Sequence, residues 1–324
     1  MHIHKRRFLG AVAAATALLA CGSALAAFPE KAITIVVPTA AGGANDAMAR
    51  VIGQAMSVIL KQSVIVENKA GANGSIASEF VMRAPPDGYT LMLGYIATHA
   101  MNPALQKLRY DPVKDFEPVG MVGSSATVMV VNPKVKATTA KDVVAMLKAS
   151  PETTSYASAG NGTAPHFAAE MFKLSTKTNM LHVPYKGSAP AVNDTISGQT
   201  QVMFPSVFTA MLYVKGGKLR PVGIAGTKRS ALMPDVPTLQ EQGIADVDVS
   251  QWYGMFAPAK TPKPVVDQLN KVLNDVLADK SVIKKLEDHG AEVETMSPAQ
   301  MQTFVQAEQV RWKKVVQAAK LTAD

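Results

Sequence analysis

Short apolar runs alternate with helix-like patterns along most of the chain. The run Ile33–Val37 is followed by apolar residues at 48, 51, 52, 55 and 59, a spacing that places them on one helix face. Further strands are predicted at residues 63–66, 90–93, 126–131, 155–157, 182–183, 201–204, 221–225 and 252–257. Helices are predicted at residues 76–83, 140–148, 167–174 and 189–196, and three more close the chain, including 264–277 and one from 297. This alternation predicts an α/β fold with mostly parallel sheets.

The length of the chain favours two domains over one. No Pro/Ser-rich linker interrupts its 324 residues, so we expect ordered crossovers near residues 123–126 and 245–249. The first lobe then consists of residues 27–125 and 247–324, and the second of residues 126–246. A discontinuous first lobe of this kind implies a cleft between the two.

The first 26 residues have the pattern of a secretory signal peptide. A basic segment at residues 5–7 precedes an apolar stretch at 8–20, and residues 24–26 fit the small-x-small cleavage rule. The apolar stretch is shorter than the roughly 20 residues that a permanent membrane anchor needs. Two alternatives stay open, a lipoprotein anchor at Cys21 and a twin-arginine signal with altered spacing. Export to the periplasm is predicted.

Composition narrows the chemistry that the exported chain can perform. The chain has 33 basic and 25 acidic residues, and its positive charges are scattered, without a basic stripe interleaved with aromatics. Nucleic acid is therefore not an expected partner, and anionic small ligands are weakly favoured. Cys21 is the only cysteine, so removal of the leader would leave no thiol nucleophile, thiolate metal site or disulfide.

A turn of small residues, Pro-Thr-Ala-Ala-Gly-Gly-Ala-Asn-Asp at positions 38–46, follows the first predicted strand. A strand, a glycine bend and a helix N-terminus form a concavity of N–H groups, because first-turn amides lack intrahelical partners and the helix dipole is positive there. Two glycines also let a ligand approach the backbone without meeting a Cβ. We predict an anion-binding site at this turn. Asp46 is expected to stabilise the helix end, and it would contact only a ligand that carries a donor.

A second turn has the same features. Residues 158–166 read Ser-Ala-Gly-Asn-Gly-Thr-Ala-Pro-His and lead from a predicted strand into a helix, which Thr163 is placed to cap. Each turn alone is an ordinary strand-to-helix connection of an α/β protein. One in each predicted lobe is the arrangement expected for closing on an anion from two sides.

Motifs of catalysis are missing from the sequence. It contains no Gly-x-Ser-x-Gly, no P-loop, no dinucleotide fingerprint and no His-Glu-x-x-His. Of the four histidines beyond residue 26, none has a partner at metal-ligand spacing: His99, His166, His182 and His289. His182 is expected in the core, as is the pair Trp252-Tyr253, whereas His166 either donates to a ligand or caps its own loop. We expect no enzyme activity, no metal and no cofactor.

Six segments, in order along the chain, resemble the substrate-binding proteins of tripartite tricarboxylate transporters, also called the Bug family. They are the turn at 37–46, Pro-Asp-Gly-Tyr-Thr-Leu at 86–91, the second turn with its strand at 156–163, His-Val-Pro-Tyr-Lys-Gly at 182–187, Pro-Asp-Val-Pro-Thr at 234–238, and Trp-Tyr-Gly at 252–254. Any one of these segments is weak support, but six in register are specific.

The resemblance implies a two-lobed fold similar to type II periplasmic binding proteins, and a carboxylate ligand held largely by backbone amides and water. It implies a monomer that serves the membrane components of such a transporter. The implied ligand-binding residues are Thr39, Ala40, Ala41, Gly42, Gly43, Asn45, Asp46, Ser158, Ala159, Gly160, Asn161, Gly162, Thr163 and His166, with Ser124, Ser125 and Ser206 as further cleft candidates. The sequence departs from the family at Thr39, where an aromatic residue is common, so no single ligand can be transferred from a relative.

Two rival functions remain open. A receptor that presents its ligand to a sensor kinase would have the same fold. An exported enzyme acting on a carboxylated substrate would need a nucleophile or an acid/base pair, and no such pair is evident in the sequence.

Overall fold

The computed structural model describes residues 28–150, 153–319 and 321. The strands within these residues are β1 (Ile33–Val37), β2 (Val64–Asn68), β3 (Thr90–Tyr95), β4 (Phe116–Val131), β5 (Ser155–Ser158), β6 (Leu181–Pro184), β7 (Val202–Met203), β8 (Arg220–Ala225), β9 (Ser250–Pro258) and β10 (Glu292–Val293). The helices are α1 (Ala44–Leu60), α2 (Ser75–Met82), α3 (Asn102–Leu105), α4 (Ala140–Ala149), α5 (Ala164–Thr176), α6 (Ser188–Ser197), α7 (Val207–Lys215), α8 (Lys263–Ala278), α9 (Lys280–Asp288) and α10 (Pro298–Ala319). The predicted leader lies outside the described residues.

The strands form two lobes that share the long strand β4. Their order is β2-β1-β3-β9-β4-β7-β5-β6, with β8 and β10 also paired to β4. From Phe116 to Ala126, β4 pairs with β9 in the first lobe; from Thr127 to Val131 it pairs with β8 in the second. The change of partner falls between Ala126 and Thr127.

The expectation of mostly parallel sheets is wrong for the centre of the molecule. Parallel pairing joins β1 to β2 and β3, and β5 to β6 and β7. In contrast, β9 is antiparallel to both β3 and β4, and β8 is antiparallel to β4. The reason is topological: β4 carries the chain into the second lobe and β9 returns it, so the two strands run in opposite directions.

Several elements differ from the predicted pattern, among them the short strand β10, which was not predicted. β4 begins at Phe116, ten residues before the predicted run. Pro118, Gly120 and Gly123 interrupt the hydrophobic pattern over these ten residues and accompany shifts of register, so the pattern alone does not indicate a strand there. Helix α7 was not predicted, since its sequence VFTAMLYVK has no long polar face and is rich in strand-forming residues. The helical turns at residues 97–105 were also missed; a proline lies within them.

Helix α10 joins the cores of the two lobes. Glu308, itself buried, accepts hydrogen bonds from the indole N–H groups of Trp252 and Trp312 at 2.9 and 3.0 Å. Trp312 also packs edge-on against Phe167 of α5, with ring centroids 5.2 Å apart. Trp252 is thus a core residue, as predicted. None of the helices in the described residues combines the length and apolarity needed to cross a membrane.

Candidate ligand-binding cavity

A cavity of about 520 Å³ opens between the two lobes. The first lobe lines it with residues 38–41, 43–45 and 71–74 and with Tyr95, Gln251 and Tyr253. The second lobe contributes residues 159–161, 163–165 and 185–190 and the pair Ser206 and Thr209. Both predicted turns therefore face one cavity from opposite sides.

Five helices begin at the wall of this cavity. Helices α1, α2, α5, α6 and α7 follow N-cap residues that all line it: Gly43, Gly74, Thr163, Gly187 and Ser206. Only Ser206 caps its own helix, by accepting from the Thr209 N–H at 3.2 Å. Gly43, Gly74 and Gly187 have no side chain, and the Thr163 hydroxyl donates to the Gly160 carbonyl at 2.6 Å, so the predicted cap of α5 does not form. In α2 the first amide, the Ser75 N–H, is already bound to the Ala72 carbonyl, which leaves α1, α5 and α6. The first-turn amides of three helices are therefore available to a ligand, and their dipoles favour a negative charge.

The charges of the lining agree with this polarity. Lys186 is the one charged residue among the described residues of the lining, which include no aspartate or glutamate. An anion in the cavity would therefore meet helix N-termini and one lysine without a carboxylate to repel it.

Three polar groups of the lining are buried without a hydrogen-bond partner among the described residues: Thr39 Oγ1, Asn45 Nδ2 and Tyr253 OH. The side chains of Asn45 and Tyr253 are 5% and 1% exposed. Burial raises the pKa of Tyr253, and the neighbouring Ser206 hydroxyl opposes this only in part, so the phenol stays protonated at neutral pH. Buried polar groups are normally paired, so these groups are the ones that a ligand would satisfy.

Of the predicted site residues, ten line the cavity: Thr39, Ala40, Ala41, Gly43, Asn45, Ala159, Gly160, Asn161, Thr163 and Ser206. The others support the two turns from behind or lie elsewhere.

Asp46 and Gly42 belong to the support of the first turn. The Asp46 side chain is 6% exposed, and its carboxylate accepts from the Gly42 N–H at 2.9 Å and from Arg50 Nε at 3.1 Å. Asn68 Nδ2 donates to the Thr39 carbonyl at 3.1 Å and fixes the other end of the turn. Asp46 therefore holds the amides in place.

The carboxylate of Asp46 makes the stability of this turn depend on pH. Burial raises the pKa of Asp46, but hydrogen bonds from Arg50 and Gly42 and the charge of Arg50 outweigh burial and hold the pKa below its usual range. The stabilisation is therefore present above the pKa of the unfolded chain, about 3.9, and is lost as the pH falls through the lower folded-state pKa.

We expect Asp46→Ala to lower the free energy of unfolding by about 1–3 kcal/mol at neutral pH, because it removes a charged hydrogen-bond acceptor. The difference from the unsubstituted protein should shrink below about pH 4. Urea unfolding at several pH values measures it. Asp275→Ala, which removes an exposed i,i+4 pair with Lys271, is the matched control and should cost about 0.5 kcal/mol or less. A difference for Asp46→Ala that is independent of pH would contradict this role.

Ser124 and Ser125 do not line the cavity. Ser125, fully buried, donates to the Gly290 carbonyl at 2.8 Å and accepts from the Phe208 N–H at 3.0 Å. Ser124 donates to Glu294 Oε1 at 2.9 Å. Both hydroxyls are used in joining β4 to the segments around it.

Ser158, Gly162 and His166 lie behind the second turn. Ser158 Oγ is 2.6 Å from His182 Nε2 and accepts from the Gly160 N–H at 3.1 Å. The Gly162 N–H donates to His166 Nδ1 at 3.1 Å, and the His166 and His182 rings stack 4.4 Å apart. Of the two roles left open for His166, this contact is the capping of its own loop.

Sequence reasoning missed several parts of the lining: the loop at residues 71–74, the segment 185–190, and the residues Tyr95, Thr209, Gln251 and Tyr253. The segment 185–190 carried a usable signal, since Gly187 precedes a helix whose first residues are Ser-Ala-Pro, another glycine bend that leads into a helix N-terminus. Across the described chain, no group of three or more His, Cys, Asp or Glu side chains is placed to hold a metal ion.

A cavity between two α/β lobes, walled by helix N-termini, defines a solute-binding protein of the periplasmic type. Comparison with solved structures agrees: the chain is similar to MatC from Rhodopseudomonas palustris with bound malate (33% identity, 89% of this chain and 100% of MatC, TM-score 0.84). It is also similar to R. palustris Rpa4515 with adipate, at 32% identity over 91% of this chain and 99% of Rpa4515, with a TM-score of 0.87.

Comparison of sequences also identifies the family to which this chain belongs. Residues 48–321 match the model of the tripartite tricarboxylate transporter family receptor, TctC. The chain is 33% identical to the protein BugT of Bordetella pertussis over 93% of both chains. This chain belongs to the TctC family of tripartite tricarboxylate transporter receptors, so the predicted resemblance is confirmed.

Proposed function

We propose that this protein captures a small organic carboxylate in the periplasm and delivers it to the membrane components of a tripartite tricarboxylate-type transporter. The observation that carries the proposal is the convergence of three uncapped helix N-termini on a cavity with no acidic side chain in its lining. Family membership supports delivery to a transporter, and the adipate and malate of the two neighbouring structures support a carboxylate as cargo.

Capture requires the lobes to move relative to each other. We place their boundary within β4 near Ala126, where strand pairing changes, and before β9, so that residues 27–125 and 247–324 oppose residues 126–246. A ligand that contacts both turns at once stabilises the closed arrangement and shifts the population toward it. One chain supplies both walls, so the functional unit we propose is the monomer.

Catalysis is not part of the proposal. The lining contains no His, Cys, Asp or Glu among the described residues, and its hydroxyl groups lack an adjacent base within it. A receptor for a sensor kinase would bind its ligand in the same way. Family membership favours transport over sensing.

Calorimetric titration with recovery of the ligand separates a binding protein from an enzyme. We expect saturable binding of adipate, malate or another member of a carboxylate panel, and no binding of the matched diamide, because the diamide lacks the negative charge that helix N-termini favour. Ligand recovered unchanged after binding supports a binding protein. A released product, or equal binding of acid and amide, would contradict the proposal. Mass spectrometry of ligand that co-purifies with the native protein would identify the physiological cargo.

A further inference from the structure

The loop at residues 71–74 brings one side chain across the cavity. Asn73 belongs to the first lobe and has a left-handed backbone, φ 49° and ψ 37°. Its Nδ2 donates to the carbonyl oxygen of Gly162 in the second turn at 2.9 Å. Two residues 89 positions apart in sequence, Asn73 in the lining of the first lobe and Gly162 behind the lining of the second, are thus joined by a direct hydrogen bond.

The Asn73 side chain is held firmly on its own lobe. The second N–H of Nδ2 donates to Asn102 Oδ1 at 2.7 Å, and Oδ1 accepts from the Tyr95 hydroxyl at 3.2 Å. Asn102, 1% exposed, donates in return to the Asn73 carbonyl at 2.9 Å. Because its orientation is already fixed, little rotamer entropy is lost when the remaining N–H reaches the other lobe.

The second lobe has no room for a side chain at Gly162, where this contact is made. The φ of Gly162 is +73°, and a Cβ there would lie 2.9 Å from Leu105 Cδ1 and 3.2 Å from Asn73 Nδ2. The first lobe therefore approaches Gly162 too closely for a side chain. The Gly162 N–H donates to His166 of the following helix α5, while the Gly162 carbonyl accepts from Asn73 of the other lobe.

We propose that Asn73 is a positioning residue, a latch between the lobes that stabilises the closed arrangement and sets the second turn opposite the first. The inference rests on the proposed function, since a latch matters only where the lobes close on a ligand. It makes closure partly independent of the ligand: the Asn73–Gly162 bond forms between protein groups, and ligand contacts add to it. Opening must break this bond, so the latch slows release of the cargo.

Asn73→Gly tests the latch because glycine accepts the left-handed backbone; the variant removes the bridging amide together with its bonds to Asn102 and Tyr95 within the first lobe. Asn73→Asp is the second variant: it keeps the shape, tolerates the same backbone, and turns an oxygen toward the Gly162 carbonyl. Asn179→Gly makes the same chemical change at an exposed position outside the cavity lining and is the matched control.

The readout is the distance between the lobes, measured by pulsed electron paramagnetic resonance. The only cysteine is Cys21, in the predicted leader, so labels on Gln54→Cys in α1 and Lys141→Cys in α4 of leader-free protein would be unique. In ligand-free protein we expect the distance distribution to change toward an open population in Asn73→Gly, to change further in Asn73→Asp, and to match the unsubstituted protein in Asn179→Gly. Distributions of both Asn73 variants that superimpose on the unsubstituted one would overturn the latch.

Release kinetics give a second measurement. With adipate as the probe, removing one net hydrogen bond should accelerate dissociation roughly five- to tenfold in Asn73→Gly and leave association nearly unchanged. Unchanged dissociation would also overturn the proposal. The distance measurement needs no ligand, so failure of the carboxylate titration, which concerns the proposed function, is distinguishable from failure of the latch.

Discussion

The Gly43→Val variant is expected to lose carboxylate binding by about 100-fold or more while keeping its fold, because two charged hydrogen bonds at about 1.5–3 kcal/mol each depend on access to the first turn. Gly43 has φ −83° and ψ 174°, an extended conformation that valine adopts readily. An added Cβ would lie 3.5 Å from the Ala40 carbonyl oxygen and 3.8 Å from Thr39 Oγ1, which are ordinary contacts. The rest of the valine would occupy the concavity of amides.

The neighbouring glycine would give a less informative result. Gly42 has φ +83° and does not line the cavity, so valine there would strain the backbone and disturb the bond to Asp46. Gly226→Val is the better control, since this exposed glycine after β8 lies outside the lining and an added Cβ would meet its nearest neighbour, the Lys228 carbonyl oxygen, at an ordinary 3.6 Å. Calorimetry with adipate and thermal unfolding of both variants measure the two effects. Full affinity in Gly43→Val would show that the ligand does not use the first turn.

The two turns were predictable because each is a local feature. A strand that ends in a glycine bend and enters a helix is written in consecutive residues, and β1, β5, α1 and α5 lie close to their predicted positions. Helix N-termini favour anions, so an anionic ligand is what the same local pattern predicts, while the resemblance to the family narrows the anion to a carboxylate. No local sequence pattern predicts that the two turns face each other. That expectation came from the division of the chain into two lobes.

The serines were misplaced because their partners are distant in sequence. Ser125 is engaged by Gly290 and Phe208, which are 165 and 83 positions away. The bulges of β4 also shift the register before it reaches Ser125, so alternation along the strand does not tell which side chains face the cavity. Tyr253 was misplaced in the opposite direction, as a core residue with no part in the site. Its apolar strand predicts a core position and the residue is buried, yet it also lines the cavity.

Tyr253→Phe should separate binding from stability. If the buried hydroxyl donates to the ligand, its loss should weaken carboxylate binding roughly 10- to 100-fold, since a hydrogen bond to a charged group contributes about 1.5–3 kcal/mol. Ligand-free stability should stay the same or rise, because the hydroxyl has no partner among the described residues and its burial is a cost. Few substitutions in a binding site carry these two opposite expectations.

Tyr110→Phe is the matched control and should show the reverse pattern. Tyr110 is also buried, but its hydroxyl donates to the Thr98 carbonyl at 2.8 Å and does not line the cavity between the lobes. Removing it should lower the free energy of unfolding by about 1 kcal/mol and leave affinity unchanged. Urea unfolding without ligand and calorimetry with adipate provide both numbers for each variant. If Tyr253→Phe destabilises the protein and spares binding, its hydroxyl serves the fold, and the ligand is held by other groups of the lining.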